Sequence, residues 1–331
     1  MRSLIITSGI LVILTISYFF FAFQPSDQLQ DKITYGVSFN TQYARELGLD
    51  WREVYNALLT DLNVKHVRLA AHWPMIEPEK DLYNWDELDY QIHMAQNHNA
   101  DVILAVGRRL PRWPECHIPQ WAQNLSWDDQ KEEIKDQITH VVERYKNESN
   151  IIYWQVENEP FLTVFATEHC GELDKSFLKE EIALVRELDP TRPIVVTDSG
   201  NLGLWYNAYR LSDVFGTSVY LFLWNPDIGP FKSILPASYY RVKQNIMRFL
   251  FGKKPMLLIE LSAEPWLLTP VIEASIETQY QRMSIDKFEQ ILNFAKETGF
   301  NRQYLWGAEW WYWLKKRGDN SFWEHGKELF L

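Results

Sequence analysis

Two glutamates follow apolar stretches of the chain, where a carboxylate is costly unless it is paired or used in chemistry. Ile151–Pro160 reads Ile-Ile-Tyr-Trp-Gln-Val-Glu-Asn-Glu-Pro, and Leu257–Glu260 reads Leu-Leu-Ile-Glu. If both segments are strands that open into one cleft, their carboxyl groups can divide the work between an acid and a nucleophile. Cleavage of a glycosidic bond needs such a pair, because one carboxylic acid protonates the leaving oxygen while the other carboxylate attacks the anomeric carbon. We therefore take Glu159 and Glu260 as the candidate catalytic residues.

Each of these glutamates has a neighbour that competes for its role. Strand alternation places Glu157 on the same side as Glu159, one pleat deeper, and we interpret it as a buried partner of another group, for example an arginine. Glu264 lies four residues after Glu260, but we prefer Glu260 as the catalytic residue because it closes the predicted strand. Glu264 is then a candidate for a hydrogen bond to the substrate.

The elements that position these residues alternate along the chain. Short apolar segments bounded by turns predict eight strands: Ile33–Phe39, His66–His72, Asp101–Gly107, Ile151–Val156, Ile194–Thr197, Val214–Tyr220, Pro255–Glu260 and Arg302–Trp306. Between them lie charged segments with helical spacing, including Ser126–Lys146, Asp174–Leu188 and Thr278–Thr298. No glycine-rich phosphate loop follows the first strand. The pattern predicts an α/β fold, a (β/α)8 TIM barrel over residues 33–331, with its working face at the carboxyl ends of the strands.

The triplet Asn158-Glu159-Pro160 at the end of the fourth predicted strand, with Glu260 at the end of the seventh, resembles clan A of the glycoside hydrolases. That clan includes the family 5 cellulases and the family 42 β-galactosidases. The resemblance implies a retaining glycosidase that needs no cofactor and acts on β-linked sugars. It also implies Glu159 as general acid/base, Glu260 as nucleophile, and Asn158 as a hydrogen-bonding partner of the sugar hydroxyl beside the reacting carbon.

Three further residues match the clan in the correct strand order. Arg68 corresponds to an arginine beneath the nucleophile, Tyr220 to a tyrosine that hydrogen-bonds the nucleophile, and Trp306 to a tryptophan that forms the floor of the sugar subsite. The loops after the third and seventh strands depart from the cellulase pattern. The subfamily, the sugar and the choice between internal and terminal cleavage therefore stay unassigned.

Other residues near the predicted strand ends are candidates for substrate contact. His72 suits either a sugar contact or a structural hydrogen bond. Tryptophans in the loops could form sugar platforms or simply pack: Trp113, Trp224, Trp266, Trp310 and Trp311. Cys116 and Cys170 lie in loops after adjacent strands, and we predict a disulfide that braces the cleft.

Composition limits the partners. The formal charge is −11 and no basic cluster is present, which argues against nucleic acid. Fifteen tryptophans suit a neutral carbohydrate, because flat rigid rings stack on sugars at little entropic cost. Two cysteines without CxxC spacing, and no HExxH motif, predict no bound metal. The expected partner is a carbohydrate substrate.

The N-terminal segment is expected to contact a membrane. Leu4–Phe23 contains no charged residue and is long enough to cross a bilayer as a helix. We predict an uncleaved anchor over residues 1–23, a tether over residues 24–32 and an extracytoplasmic domain, since Arg2 precedes the span. The alternative is a cleaved signal peptide and a secreted protein.

Two other functions fit the same residues. A transglycosylase would use a sugar hydroxyl in place of water in the second step of the reaction. An inactive barrel, anchored to the membrane, would only bind glycan through its tryptophans. The pair of strand-end glutamates favours an enzyme over the second alternative, because binding alone does not need them.

Overall fold

A computed structural model describes residues 32–164, 170–171, 174–225, 227–267 and 269–331. Eight parallel strands close into a barrel in the order β1-β2-β3-β4-β5-β6-β9-β10. Their bounds are β1 Thr34–Ser38, β2 His66–Ala70, β3 Asp101–Val106, β4 Ile151–Val156, β5 Ile194–Asp198, β6 Val214–Val219, β9 Met256–Ser262 and β10 Arg302–Trp306. The predicted barrel and all eight predicted strands are confirmed.

The barrel is filled by its own side chains. A cluster of buried residues from five of the strands occupies its interior: Ile103, Val195, Val214, Leu257, Ile259 and Tyr304. A second, larger core lies between the strands and the surrounding helices. Because both faces of the strands are covered, β6 and β9 are buried along their whole length. That double burial explains why β9 begins with the apolar run Met256–Ile259 and why β6 carries small or apolar side chains throughout.

The helices form the outer layer. Their bounds are α1 Thr41–Glu46, α2 Trp51–Thr60, α3 Trp73–Ile76, α4 Asp86–Asn97, α5 Trp127–Tyr145, α6 Lys175–Leu188, α7 Tyr206–Leu211, α8 Ala237–Phe251, α9 Ile276–Arg282, α10 Ile285–Glu297, α11 Ala308–Lys316 and α12 Ser321–Leu329. The predicted helices at α5 and α6 are confirmed. Ser126 and Asp174 cap their N-termini by accepting hydrogen bonds from backbone amides.

The prediction of a single helix over Thr278–Thr298 is wrong. The structure has two helices there, α9 and α10, separated by Met283 in an extended conformation. The side chain of Ser284 accepts a hydrogen bond from the amide of Lys287 at 3.2 Å and so begins the second helix. A serine that bonds its own backbone competes with the helical hydrogen bonds, and here it starts a new helix instead of continuing the old one.

Two strand ends also differ from the prediction. β2 stops at Ala70, and His72 instead precedes the short helix α3. β9 does not end at Glu260: it continues to Ser262, which pairs with Trp306 of β10. The sequence also gave no indication of a hairpin after β6, which consists of β7 Phe222–Asn225 and β8 Gly229–Lys232.

The predicted anchor over residues 1–23, and nearly all of the tether over residues 24–32, lie outside the described residues. Within the described part of the chain, no helix is long and apolar enough to cross a bilayer.

Candidate active site

The carboxylate of Glu260 is held at both oxygens. Arg68, buried in β2, donates from Nη1 to Oε1 of Glu260 at 3.0 Å. The hydroxyl of Tyr220, just after β6, donates to Oε2 at 2.9 Å. Two donors of this kind, one of them charged, favour the ionised carboxylate. Glu260 is therefore suited to act as a nucleophile.

Arg68 organises the floor beneath Glu260. Its Nε donates to Oε1 of Gln155 at 2.8 Å, and its Nη2 donates to Oδ1 of Asn158 at 2.7 Å. The arginine therefore joins β2, β4 and β9 at the same level of the barrel. It also fixes the orientation of the Asn158 amide, whose oxygen is occupied by the guanidinium.

Glu159 has the opposite environment. Its side chain is buried at the end of β4, and burial, followed by the negative charges of Glu260 and Glu115, raises its pKa well above the ordinary value. The hydroxyl of Ser218 donates to Oε1 at 2.6 Å, which opposes the rise without cancelling it. The raised pKa favours the protonated form of the carboxyl group, which suits Glu159 to act as an acid. Ser218 is paired with Glu260 in the strand register, so β6 connects the two glutamates.

Glu157 is a structural carboxylate. Its two oxygens accept hydrogen bonds from the amides of Arg108 and Arg109, each at 2.7 Å. Gly107 makes this possible, because its φ is +111° and a Cβ there would lie 2.3 Å from Oε1 of Glu157. The interpretation of Glu157 as a buried partner fits this arrangement, with backbone amides as its partners.

The loop after β3, Gly107–His117, is tied to the exit of β4 at several points. Arg109 donates to Oε2 of Glu115 from Nε at 2.9 Å and from Nη2 at 2.7 Å, and its Nη1 reaches the carbonyl of Leu162. A disulfide joins Cys116 to Cys170, with Cα atoms 5.4 Å apart. The structure therefore contains the cysteine pairing that the loop positions suggested.

Arg112 is the main site residue that the sequence reasoning missed. Its Nη1 lies 2.9 Å from Oε1 of Glu264, its guanidinium lies 3.3 Å from the ring centroid of Tyr43, and the ring of Trp306 is 5.7 Å away. Its φ of +96° is unusual for a residue with a side chain, and surrounding contacts must hold it there. The signal in the sequence was an atypical loop with three arginines within five residues, Arg108–Arg112.

Glu264 was expected to bind substrate directly, but one of its oxygens is used by Arg112. Burial raises the pKa of Glu264, although the guanidinium of Arg112 works against the rise. Glu309, nearby at the start of α11, has its pKa raised to about 7 by burial. The Arg112 cation therefore lies among two buried acidic side chains and an aromatic ring, which makes this side of the barrel mouth a dense polar wall.

His72 has a structural environment. It is buried, its Nε2 lies 3.2 Å from the carbonyl oxygen of Pro111, and its ring meets that of His117 edge to face at 4.4 Å. Burial, followed by the proximity of His117, lowers the pKa of His72 to about 3, so the imidazole is neutral. Of the two roles considered for His72, the contacts match the structural hydrogen bond, which supports the loop after β3.

The tryptophans fall into two groups. Trp310 and Trp311 are fully buried, and their indole nitrogens donate to Gln279 and to the carbonyl of Ala263. These two pack in the core, so the idea that they form sugar platforms is wrong. Trp306, Trp266 and Trp113 remain candidates. Trp306 and Trp266 surround the Tyr220 ring at 6.3 and 5.1 Å, and Trp113 is 60% exposed.

In the described residues, no group of three or more His, Cys, Asp or Glu side chains is arranged to hold a metal ion. The groups that converge on the barrel mouth are two glutamates with different hydrogen-bond partners, a buried arginine, a tyrosine and an amide. A closed parallel barrel with such a pair at its strand ends is the architecture of the (β/α)8 glycoside hydrolases.

The family follows from comparison with known proteins. A model of the family described as cellulase (glycosyl hydrolase family 5) matches residues 35–247. The chain belongs to glycosyl hydrolase family 5, and the predicted membership of clan A is confirmed.

Relatives carry two kinds of name. The chain is 26% identical over 213 residues to endo-1,4-β-xylanase 3 of Hypocrea jecorina, a match that covers 61% of this chain and 56% of that protein. It is 22% identical over 181 residues to β-galactosidase LacA of Lactobacillus acidophilus, covering 48% of this chain and 26% of that one. The matches thus span about a quarter to just over half the length of these relatives.

Solved structures share the fold. The GH5_18 protein from Bifidobacterium longum subsp. longum has a TM-score of 0.58 at 13% identity, covering 83% of this chain and 70% of that one. Xylanase 10B from Thermotoga petrophila, solved in complex with xylobiose, has a TM-score of 0.54 at 17% identity, covering 83% and 82%. At these identities the likeness concerns the barrel alone.

Proposed function

We propose that the chain is a retaining glycosidase that hydrolyses β-glycosidic bonds by double displacement. The observation that supports this most directly is the division between the two glutamates. Glu260 is bonded by Arg68 and Tyr220, which favours its ionised form, whereas burial and nearby negative charge raise the pKa of Glu159 and favour its protonated form. Opposite protonation states in one cleft are what an acid and a nucleophile require.

In the first step, an oxygen of Glu260 attacks the anomeric carbon as the bond to the leaving oxygen breaks. Glu159 gives its proton to that oxygen, and the aglycone departs as an alcohol. The product is a glycosyl ester of Glu260. The side-chain nitrogen of Asn158 is the atom left to meet a sugar hydroxyl, since its oxygen is bonded to Arg68.

In the second step, Glu159 acts as a base. Once Glu260 is esterified, its negative charge disappears, and one cause of the raised pKa of Glu159 disappears with it. The carboxylate of Glu159 can then take a proton from water while the water oxygen attacks the anomeric carbon and releases Glu260. A sugar hydroxyl in place of this water would make the enzyme a transglycosylase, which remains the alternative function.

The substrate class that we propose is a neutral β-linked sugar. Relatives named as xylanases and β-galactosidases support it, as does the acidic net charge, which disfavours polyanionic ligands. An inactive glycan-binding barrel is the less favoured alternative, because such a protein gains nothing from a protonated buried glutamate beside an ionised one.

The test uses the purified full-length chain in detergent with nitrophenyl β-glycosides of xylose, galactose, glucose and mannose. We expect turnover by the parent and loss of turnover in Glu260→Gln. In Glu159→Gln, we expect slow turnover that azide accelerates and that yields a β-glycosyl azide, because a small anion can replace the base-activated water. Glu289→Gln, an exposed residue of α10, is the control. Inactivity of the parent on all four sugars, or full activity of Glu260→Gln, would contradict the proposal.

We also propose that the domain works outside the cytoplasm. The disulfide between Cys116 and Cys170 supports this location, because disulfides persist in oxidising compartments. Protease treatment of intact cells that express the chain should degrade the domain without lysis. Protection of the domain until lysis would contradict this location.

A further inference from the structure

We propose that this enzyme removes single sugars from chain ends, because the loop Gly107–His117 closes the donor side of its site after one sugar unit. The inference rests on the proposed glycosidase function. It adds a direction of attack that neither the fold nor the pair of glutamates determines, since both are compatible with an open groove or with a closed pocket.

The loop covers one side of the barrel mouth. It leaves β3 and meets the exit of β2 through His72, whose Nε2 lies 3.2 Å from the Pro111 carbonyl oxygen. Arg112 then reaches the ring of Tyr43 in α1, after β1, and the carboxylate of Glu264, after β9. The loop therefore lies over the exits of β2, β1 and β10, and ends its span at β9.

The acid lies on the other side. Glu159 lies three residues after β4, its amide donates to Thr197 of β5 at 2.7 Å, and its carboxyl group is bonded to Ser218 of β6. In the barrel order, β4 lies opposite β10 and β5 lies opposite β1. The base of the loop adjoins the exit of β4, but its tip at Arg112 and the acid occupy opposite sides of the mouth, with Glu260 of β9 between them.

This arrangement fixes how a substrate must lie. The leaving oxygen has to reach Glu159, so the leaving portion extends over β4, β5 and β6. The sugar that reacts with Glu260 has its non-reducing side turned away from Glu159, toward Trp306 and Arg112, whose guanidinium lies 5.7 Å from the Trp306 ring. A second sugar on that side would occupy the position of the ion pair between Arg112 and Glu264.

The ion pair is not easily displaced. The side chain of Glu264 is 3% exposed and that of Arg112 is 23% exposed, so separating them would leave a buried charge without its partner. The loop behind them is held by the carboxylate of Glu157, by the Arg109–Glu115 pair and by the disulfide. A pocket wall fixed at so many points is built into the fold.

The test compares a nitrophenyl β-monoside with the nitrophenyl β-bioside of the same sugar, for xylose, galactose, glucose and mannose. We expect immediate nitrophenol release from the monoside. From the bioside we expect a lag while the terminal sugar is removed, and no free disaccharide. Immediate nitrophenol release accompanied by free disaccharide would overturn the inference while leaving the glycosidase function intact. If none of these substrates is cleaved, the proposed function is refuted, and this inference with it.

The Arg112→Ala variant tests the wall itself. It should raise kcat/KM for direct cleavage of the bioside, relative to that for the monoside, at least tenfold, and disaccharide should appear. Arg52→Ala is the matched control, since this arginine also lies on aromatic rings but on the outer surface. An unchanged ratio in a folded Arg112→Ala variant would overturn the role of Arg112. If that variant fails to fold, the product pattern of the parent still decides between terminal and internal cleavage.

Discussion

At the scale of single residues, the site depends on how each glutamate is solvated by protein groups. Glu260 receives a charged and a neutral donor, whereas among the described residues Glu159 receives the hydroxyl of Ser218 alone and is otherwise buried near negative charge. The same type of side chain therefore has a different electrostatic environment at the two positions. Two predictions follow from these contacts, one for each glutamate.

Replacing Ser218 with alanine should move the alkaline limb of the pH–activity profile to higher pH. The hydroxyl of Ser218 stabilises the charged form of Glu159 and lowers its pKa, so its removal lets the pKa rise further. Activity that depends on protonated Glu159 then persists to higher pH. The measurement is kcat/KM across the pH range, which reports the free enzyme. A limb that stays in place or moves to lower pH would contradict the assignment of Glu159 as the acid, and Ser212→Ala provides the control.

Replacing Tyr220 with phenylalanine should lower kcat/KM about 10- to 100-fold, the loss expected when a hydrogen bond to a charged group is removed. The ring would keep its contacts with Trp266 and Trp306, so the pocket should keep its shape. Tyr90→Phe, which removes a hydroxyl bonded to Asn56 on the outer helices, is the control. Equal losses in both variants would show that the hydroxyl of Tyr220 has no special role.

At the scale of elements, the strands could be predicted from the sequence and the loops could not. A strand buried on both faces must be apolar along its length, which leaves a local signal, as in β4 and β9. The position of Arg112 depends on contacts with residues distant in sequence, such as Tyr43 and Glu264, and no local pattern encodes them. For the same reason the sequence left open whether Trp310 and Trp311 pack or contact sugar, and the structure shows that both are buried. The catalytic candidates were found because each is a carboxylate within or shortly after an apolar strand.

The disulfide belongs to this scale because it joins two loops. Replacing Cys116 and Cys170 together with serine should lower the free energy of unfolding by up to about 4 kcal/mol, the loop-closure value for a sequence separation of 54. Urea unfolding of the parent and variant, each with and without reductant, measures the effect. Reductant should destabilise the parent and leave the variant unchanged. A parent that is insensitive to complete reduction would contradict a stabilising role.

At the scale of the whole molecule, buried ionisable groups make stability depend on pH. Burial lowers the pKa of His72 to about 3, below its ordinary 6.5, so between these values the unfolded chain binds a proton that the folded chain does not. The contribution of neutral His72 to the free energy of unfolding is therefore complete above pH 6.5 and decreases as the pH falls toward 3. Glu309 acts in the opposite sense, because its raised pKa of about 7 gives stability that is lost as the pH rises from 4.5 through 7.

Replacing His72 with glutamine should therefore remove the part of the loss in unfolding free energy at low pH that is due to His72. Relative to the parent, the variant should gain up to about 1.4 kcal/mol for each pH unit below 6.5. Urea unfolding at pH 7, 5.5 and 4.5 gives the difference, and the slope from Glu309 cancels because both proteins contain it. His140→Gln, an exposed histidine of α5, is the control. Parallel pH profiles for the parent and His72→Gln would contradict the prediction.

The separation of Gly107–His117 from the strands that hold the two glutamates has a consequence for how such a protein changes over generations. The loop lies between β3 and α5, where insertions and deletions are tolerated. A lineage that shortened the loop would turn a pocket into a groove. Its substrate range would change, although no catalytic residue would be altered. The substrate range of this barrel would then evolve through one loop, independently of the catalytic residues that the strands carry.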